Sequence, residues 1–279
     1  MSTALAVHHG PFGRVALYNL DRCMALHAHR EGHLIFHVQG PEASLRIEDE
    51  ICVLSPTMGA AISPWQPHNF NSLAPGEASL FLTLYIKPLW FLDASREASA
   101  ALRFGRAPIE VTAPVARLVA RITACMLEDA EDGLIAGFLY DLTQASFDQS
   151  WQWVPEGASF TRCAPPVRDY RVRNSVRLMQ HRMNERIALD MIARDAGLSR
   201  PHFYKLFRQQ VGTTPNIYLN TLRIERAIER LTTTRDAVSD IAFDLGFSSQ
   251  ASFTRFFIAN SCIPPSDYRR VVHCAGGTA

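Results

Sequence analysis

Long apolar runs are missing from this 279-residue sequence: the best stretch, residues 79–92, is broken by Lys87 and Pro88. A membrane-spanning helix needs about 20 uninterrupted apolar residues. No charged-then-apolar leader opens the chain, so secretion has no support in the sequence. Cysteine is sparse and scattered, with Cys23, Cys52, Cys125, Cys163, Cys262 and Cys274 forming no CxxC pair, which argues against a disulfide framework or a cysteine zinc knuckle. Net charge is nearly absent as well, 28 Lys plus Arg against 27 Asp plus Glu. With 47% hydrophobic side chains the chain is not disordered. A cytoplasmic protein of about two domains is expected.

The neutral total hides a division. Residues 166–279 carry 17 Arg or Lys against 10 Asp or Glu, and residues 1–165 carry 11 against 17. Such asymmetry predicts that the C-terminal part meets a polyanion. All but one of its cations are arginine, whose planar fork gives phosphate two hydrogen bonds at once.

Three segments follow from periodicity. Short strand-like runs at 15–18, 33–38, 45–47, 51–54, 60–63 and 80–86 are separated by turn formers, as in a sandwich or barrel. Residues 114–129 and 134–148 then space Val115, Leu118, Val119, Ile122 and Met126, and Leu134, Ile135, Phe138, Leu139 and Leu142, as two amphipathic helices. The break at 131–133 is short, which predicts an antiparallel hairpin packed on the barrel or on a partner subunit. Residues 151–166, with Pro155, Gly157, Pro165 and Pro166, read as a linker, and 275–279 as a frayed tail.

The basic half nearly repeats itself. Ile192-Ala193-x-Asp195-x-Gly197 returns 49 residues later as Ile241-Ala242-x-Asp244-x-Gly246. Ser199, Phe203, Phe207, Pro215 and Tyr218 return 50 residues later as Ser249, Phe253, Phe257, Pro265 and Tyr268. Each copy predicts a helix, a glycine turn of positive φ, and a serine-capped second helix: helix-turn-helix chemistry. The second helices, about 199–210 and 249–259, bury Phe203, Leu206 and Phe207, and Phe253, Phe256 and Phe257. Their outward faces carry side chains able to read base edges. The spacer at 216–232 spans about 25 Å as a helix, enough to hold both near successive major-groove faces.

The motifs Gly-Leu-Ser-Arg-Pro-His-Phe at 197–203, Gly-Phe-Ser-Ser-Gln-Ala-Ser-Phe at 246–253 and Ile-Pro-Pro-Ser-Asp-Tyr-Arg at 263–269 resemble the DNA-binding domain of the AraC/XylS family of bacterial transcription regulators. The resemblance covers about residues 172–271 and implies DNA contacts from Arg200, Pro201, Tyr204 and Lys205, and from Gln250, Ala251, Ser252, Thr254 and Arg255. Arg208 is expected on phosphate. Arg171, Arg173, Arg177, Arg182 and Arg186 are equally readable as phosphate anchors or as solvated charges. Two departures stand out: Cys262 replaces the repeat's Gly212, and Pro201 and Tyr204 occupy positions where many members carry larger or more polar readers.

In the acidic half, His27-Ala28-His29-Arg30-Glu31-Gly32-His33 with Gly40, and later Pro64-Trp65-Gln66-Pro67-His68-Asn69, resemble the two motifs of the cupin barrel. Metal-binding cupins carry a glutamate where His33 or Leu34 stands here, and the second motif lacks its usual glycine. Three readings stay open. One is a pocket for a small effector, with His27, His29, His33 and His68 as anchors and Phe36, Trp65 and Phe70 as apolar wall. Another is a divalent metal held by the four histidines, and the third is histidines that merely hydrogen-bond within the barrel. His8 and His9 read as terminal and solvated, Trp90 and Phe91 as core.

The expected fold is therefore multi-domain: an N-terminal all-β cupin-like barrel over 1–95, a helical hairpin and linker over 96–165 that dimerises, and an all-α tandem helix-turn-helix domain over 166–279. The expected function is an effector-responsive activator that binds double-stranded DNA, works as a homodimer and performs no catalysis. The family resemblance implies contact with RNA polymerase. The competing reading is a metal-dependent cupin enzyme fused to a DNA-binding domain.

Overall fold

The structure, a computed structural model, describes residues 2–94, 103–128, 132–152, 167–185 and 188–274. Most of the linker expected at 151–166, the start of the hairpin turn, Cys163, Arg186 and the tail at 275–279 lie outside them. The β-domain runs β1 (Thr3–Gly10), β2 (Gly13–Leu20), β3 (Gly32–Gln39), β4 (Ala43–Ile47), β5 (Glu50–Leu54), β6 (Met58–Ile62), β7 (His68–Ser72), β8 (Ser79–Ile86), α1 (Pro88–Ala94) and β9 (Pro108–Glu110).

Its strands pair as two sheets, β10-β1-β2-β8-β3-β6-β9 and β5-β4-β7, where β10 (Val272–Cys274) comes from the far end of the chain. The expected barrel is thus open: among the described strands, no ladder joins the two sheets. Only the isolated bridges His27↔His68 and Ser55↔Met58 and short loop bonds lie outside the ladders. The sheets instead enclose a shared apolar interior of Ile35, Leu45, Leu54, Phe70 and Phe81. Alternation along β3 sends Leu34 and Phe36 to the opposite face, into a cluster with Leu82, Leu84 and Ile86.

That opposite face is covered by α2 (Ala113–Leu127) and α3 (Asp132–Gln152). Val115, Val119, Ile122 and Met126 of α2, and Ile135, Leu139 and Leu142 of α3, share the cluster with Leu34 and Phe36. The apolar stripes that suggested a dimer interface are therefore spent inside the chain. Each fully buried side chain of this size contributes roughly 1.5–3 kcal/mol.

The C-terminal domain comprises α4 (Tyr170–Arg182), α5 (Leu189–Asp195), α6 (Arg200–Val211), α7 (Pro215–Thr233), α8 (Val238–Asp244), α9 (Gln250–Ser261) and α10 (Pro265–Val271). Phe203 and Phe207, then Phe253 and Phe257, are fully buried at the predicted positions. Leu206 and Phe256 are only partly so. Ser249 caps α9 by accepting from the Ser252 amide at 3.2 Å, whereas Ser199 makes no side-chain cap on α6. Gly246 closes α8 at φ 78°, and a Cβ there would lie 2.7 Å from the Asn184 carbonyl oxygen, so only glycine fits.

The two domains are docked. β10 lies parallel to β1, pairing Val7 with Val272 and His9 with Cys274. His8 and His9, read as solvated, sit in this seam: His8 is buried, and a ring nitrogen of His9 lies 2.9 Å from the Tyr268 hydroxyl of α10. The cause is that β1, paired on one edge with β2, has its other edge covered by a segment 265 residues away. Along α7, the Thr221 hydroxyl donates to the Ala28 carbonyl at 3.0 Å, Arg30 pairs with Glu225 at 2.9 Å, and Trp65 stacks on Tyr218.

Candidate DNA interface and effector cavities

The two recognition helices are α6 and α9, each set by its buried phenylalanines so that the other face turns to solvent. On α6, Arg200, Pro201, Lys205 and Arg208 are exposed and Tyr204 is half-buried. Arg200 is tied at 3.2 Å to Asp190 of α5, an exposed pair that DNA can displace at little cost. On α9, Gln250, Ala251 and Arg255 are exposed; Ser252 and Thr254 are half-buried. The Ser252 hydroxyl is already engaged, donating to the Ser249 carbonyl at 2.8 Å.

Between them, α7 has 19 residues and so spans about 28 Å. Its arginines are internal ties. Arg223 donates to the carbonyls of Met183 and Glu185 at 3.0 and 2.8 Å, and Arg230 grips Asp236 and Asp244 at 2.6 and 3.0 Å. Of the weaker anchor candidates, Arg171 is engaged by Asp169 and Arg182 by Glu185.

The β-domain gathers its histidines where β7, the 21–31 loop and the start of β3 meet. Ligand nitrogens of His27, His29 and His68 lie within 4.8 Å of one another, and all three side chains are buried. The backbone sets their tautomers. His27 Nδ1 lies 2.7 Å from the Ala25 carbonyl and His68 Nδ1 2.9 Å from that of Gln66. A carbonyl oxygen can only accept, so in each neutral ring Nδ1 carries the proton and Nε2 is a bare lone pair. His33 Nδ1 lies 3.3 Å from His68 Nε2, and its ring stacks on Tyr85.

Burial pushes His27 down to about 4, and the nearby Arg14 acts the same way against its bond to Ala25. His29, His33 and His68 fall well below the ordinary histidine range, again through burial first and mutual repulsion second. All four rings are neutral at pH 7.

Two cavities adjoin this cluster. The inner one holds only about 20 Å³ and is lined by His27, His33, His68 and Phe70, with Ser261 and Cys262 from the end of α9. A single water needs about 10–15 Å³, so this chamber is too small for an organic effector. The outer cavity, about 290 Å³, lies between the domains. Arg14, His29, Tyr85 and Lys87 line one side of it, and Glu225 and Ile228 of α7 the other.

Of the predicted effector residues, the structure thus brings His27, His33, His68 and Phe70 to the inner chamber and His29 to the outer cavity. Phe36 faces the helical hairpin, and Trp65 leaves the pocket to stack on Tyr218.

Sequence reading missed Arg14, the buried cation of the outer cavity. Its guanidinium lies 3.6 Å over the Tyr85 ring, and Nη1 donates to the Tyr268 hydroxyl at 3.1 Å. Burial also pushes the Glu225 carboxyl up to about 8, with Arg30 opposing. An arginine between valine and glycine in a strand was the available signal for Arg14, and it is a weak one.

Two outward recognition helices joined by a rigid spacer define a DNA-binding transcription regulator with a tandem helix-turn-helix domain, and a helix-turn-helix domain model matches residues 192–271. The chain belongs to the AraC/XylS family of such regulators. The probable transcriptional regulator LumQ of Photobacterium leiognathi is 24% identical over 250 residues, 90% of this chain and 94% of that one. The TetD protein of transposon Tn10 from Escherichia coli is 34% identical over 92 residues, 33% of this chain and 67% of that one. The whole fold resembles ToxT of Vibrio cholerae, solved with an unsaturated fatty acid bound, at 13% identity and a TM-score of 0.55 over 92% of this chain and 94% of that one. A second ToxT structure, from strain O395, gives 0.53 at 11% identity over 95% and 98%.

Proposed function

We propose that the chain activates transcription at a specific promoter in response to a small polar effector seated in the cavity between its domains. The observation that carries this reading is the shared wall of that cavity. One side belongs to the β-domain, and the other to α7 and the end of α9, the elements that orient the two recognition helices. An effector there can bias how the helices are presented, because it touches both partners of the docked arrangement and gains differently when they separate. ToxT, of the same fold, binds a fatty acid, which supports a small-molecule role for the β-domain.

DNA is read by Arg200, Pro201, Tyr204 and Lys205 of α6 and by Gln250, Ala251, Ser252, Thr254 and Arg255 of α9, with Arg208 on phosphate. The regulator works in the cytoplasm, contacts RNA polymerase, and carries out no catalytic step. It forms a homodimer through the outer side of the α2–α3 pair, where Leu127 and Leu134 remain exposed. Sedimentation of micromolar protein as a single chain, with and without DNA, removes the dimer.

Site selection from a random DNA pool tests the DNA reading. Arg255→Ala is expected to lower affinity for the selected site and relax preference at one base pair by about 1–3 kcal/mol. Arg208→Ala should weaken all sequences alike and lower the salt slope by about one. Selection by Arg255→Ala of the same site with undiminished stringency counts against base reading by α9.

A further inference from the structure

We infer that the buried histidine cluster beside the inner chamber is a metal site, in which His27, His29 and His68 bind one divalent ion of the zinc class through nitrogen. The inference is independent of the DNA-binding reading. The first ground is a set of bare lone pairs. Nε2 of His27, of His29 and of His33 is buried without a hydrogen-bond partner among the described residues. Two of these atoms belong to the proposed ligands His27 and His29, and a buried polar atom left unsatisfied destabilises the fold, so the pair calls for a common partner.

The second ground is how the rings are held. His27 and His68 each turn Nδ1 onto a backbone carbonyl, at 2.7 and 2.9 Å. This outer bond is the one that ligating histidines make: it fixes the tautomer and raises the basicity of the nitrogen left for metal. His33 Nδ1 reaches His68 Nε2 only at a long 3.3 Å, a contact that a metal–nitrogen bond of about 2.0–2.1 Å replaces. His33, stacked on Tyr85, then packs beside the ligands and does not bind the ion.

Size and donor type set the ion. A chamber of about 20 Å³ admits an ion and at most one water. The group contains imidazoles and no carboxylate. Such donors suit zinc, copper, nickel or iron, whereas magnesium and calcium demand oxygen. Three protein ligands leave a position open.

The chamber beside the cluster is lined in part from outside the β-domain, by Ser261 and Cys262 at the end of α9. Cys262 is buried in the left-handed conformation at φ 63°, where the first repeat has Gly212 at φ 85°. A side chain kept at a position that favours glycine needs a compensating contact, and its compensation is burial against the β-domain interior.

The test uses the full-length chain, stripped with chelator and titrated with Zn²⁺ and with Co²⁺. One equivalent is expected to bind. His27→Gln and His68→Gln, chosen to keep side-chain volume, should each weaken binding by more than about 100-fold, and His33→Gln, which is not a ligand, by less than about 10-fold. His202→Gln, exposed on α6, should change nothing. If the Gln variants fail to fold, the wild-type Co²⁺ spectrum decides. Intense visible bands of a four-coordinate ion support the site, and only the weak bands of six-coordinate cobalt overturn it. Folded protein that binds less than about a tenth of an equivalent, or loses metal equally with His202→Gln, also overturns it.

Discussion

Stability in the presence of chelator is expected to fall by at least about 3 kcal/mol between pH 7 and pH 4, with most of the loss below pH 6.5. His27 is depressed from 6.5 to about 4 in the folded chain. Between those values the unfolded chain binds a proton that the folded chain refuses, so stability rises with pH across that window. A shift of about 2.5 units is worth about 3 kcal/mol. His29, His33 and His68 are lowered further and act in the same direction.

Glu225 opposes them. Its carboxyl, pushed up to about 8, favours the folded state as pH falls through the window between the ordinary glutamate value and 8. One acid facing Arg30 at 2.9 Å does not offset four buried imidazoles. Urea midpoints measured from pH 8 to 4 check the slope, and His27→Gln with His68→Gln should flatten it. A midpoint unchanged from pH 7 to 5 would contradict burial of neutral histidines.

Phe257→Ala is expected to cost about 3–5 kcal/mol and to loosen the second recognition helix and the domain seam together. Phe257 is fully buried, and its ring lies 5.8 Å from Phe253 and 5.6 Å from Tyr268. Tyr268 in turn holds Arg14 and His9 of the β-domain. Phe207→Ala, at the repeat-equivalent position of the first unit, packs instead with Phe203 and Tyr218. Its damage should centre on α6 and reach the seam only through Tyr218, which stacks on Trp65. Hydrogen exchange on both variants separates the two patterns. Protection lost equally at β1 and β10 in each would show that Phe257 has no special hold on the seam.

The tandem helix-turn-helix half was legible because its signals are local and occur twice. Phe203, Phe207, Phe253 and Phe257 mark the buried faces, and Gly197 and Gly246 mark the turns whatever the rest of the chain does. Strand parity also lay in the sequence. His33 and Phe36 stand three apart on β3, an odd spacing that sends them to opposite faces, so one pocket could not hold both. What stayed hidden depends on distant partners. β1 reads as an unpatterned mix of alanine and histidine, and β10 is three residues long; β10 forms by pairing with the edge of β1 that β2 leaves open. The domain docking that buries His8, engages Arg14 and explains Cys262 has no local signature.

The DNase footprint of the full-length chain on its selected site, across a salt series, tests the central claim most directly. Two recognition helices gripping one duplex predict two protected stretches centred about one helical turn apart, roughly 10–10.5 base pairs, with log affinity falling linearly with log salt. Arg255→Ala should empty one stretch before the other. A single protected stretch, or binding indifferent to salt, would contradict the account.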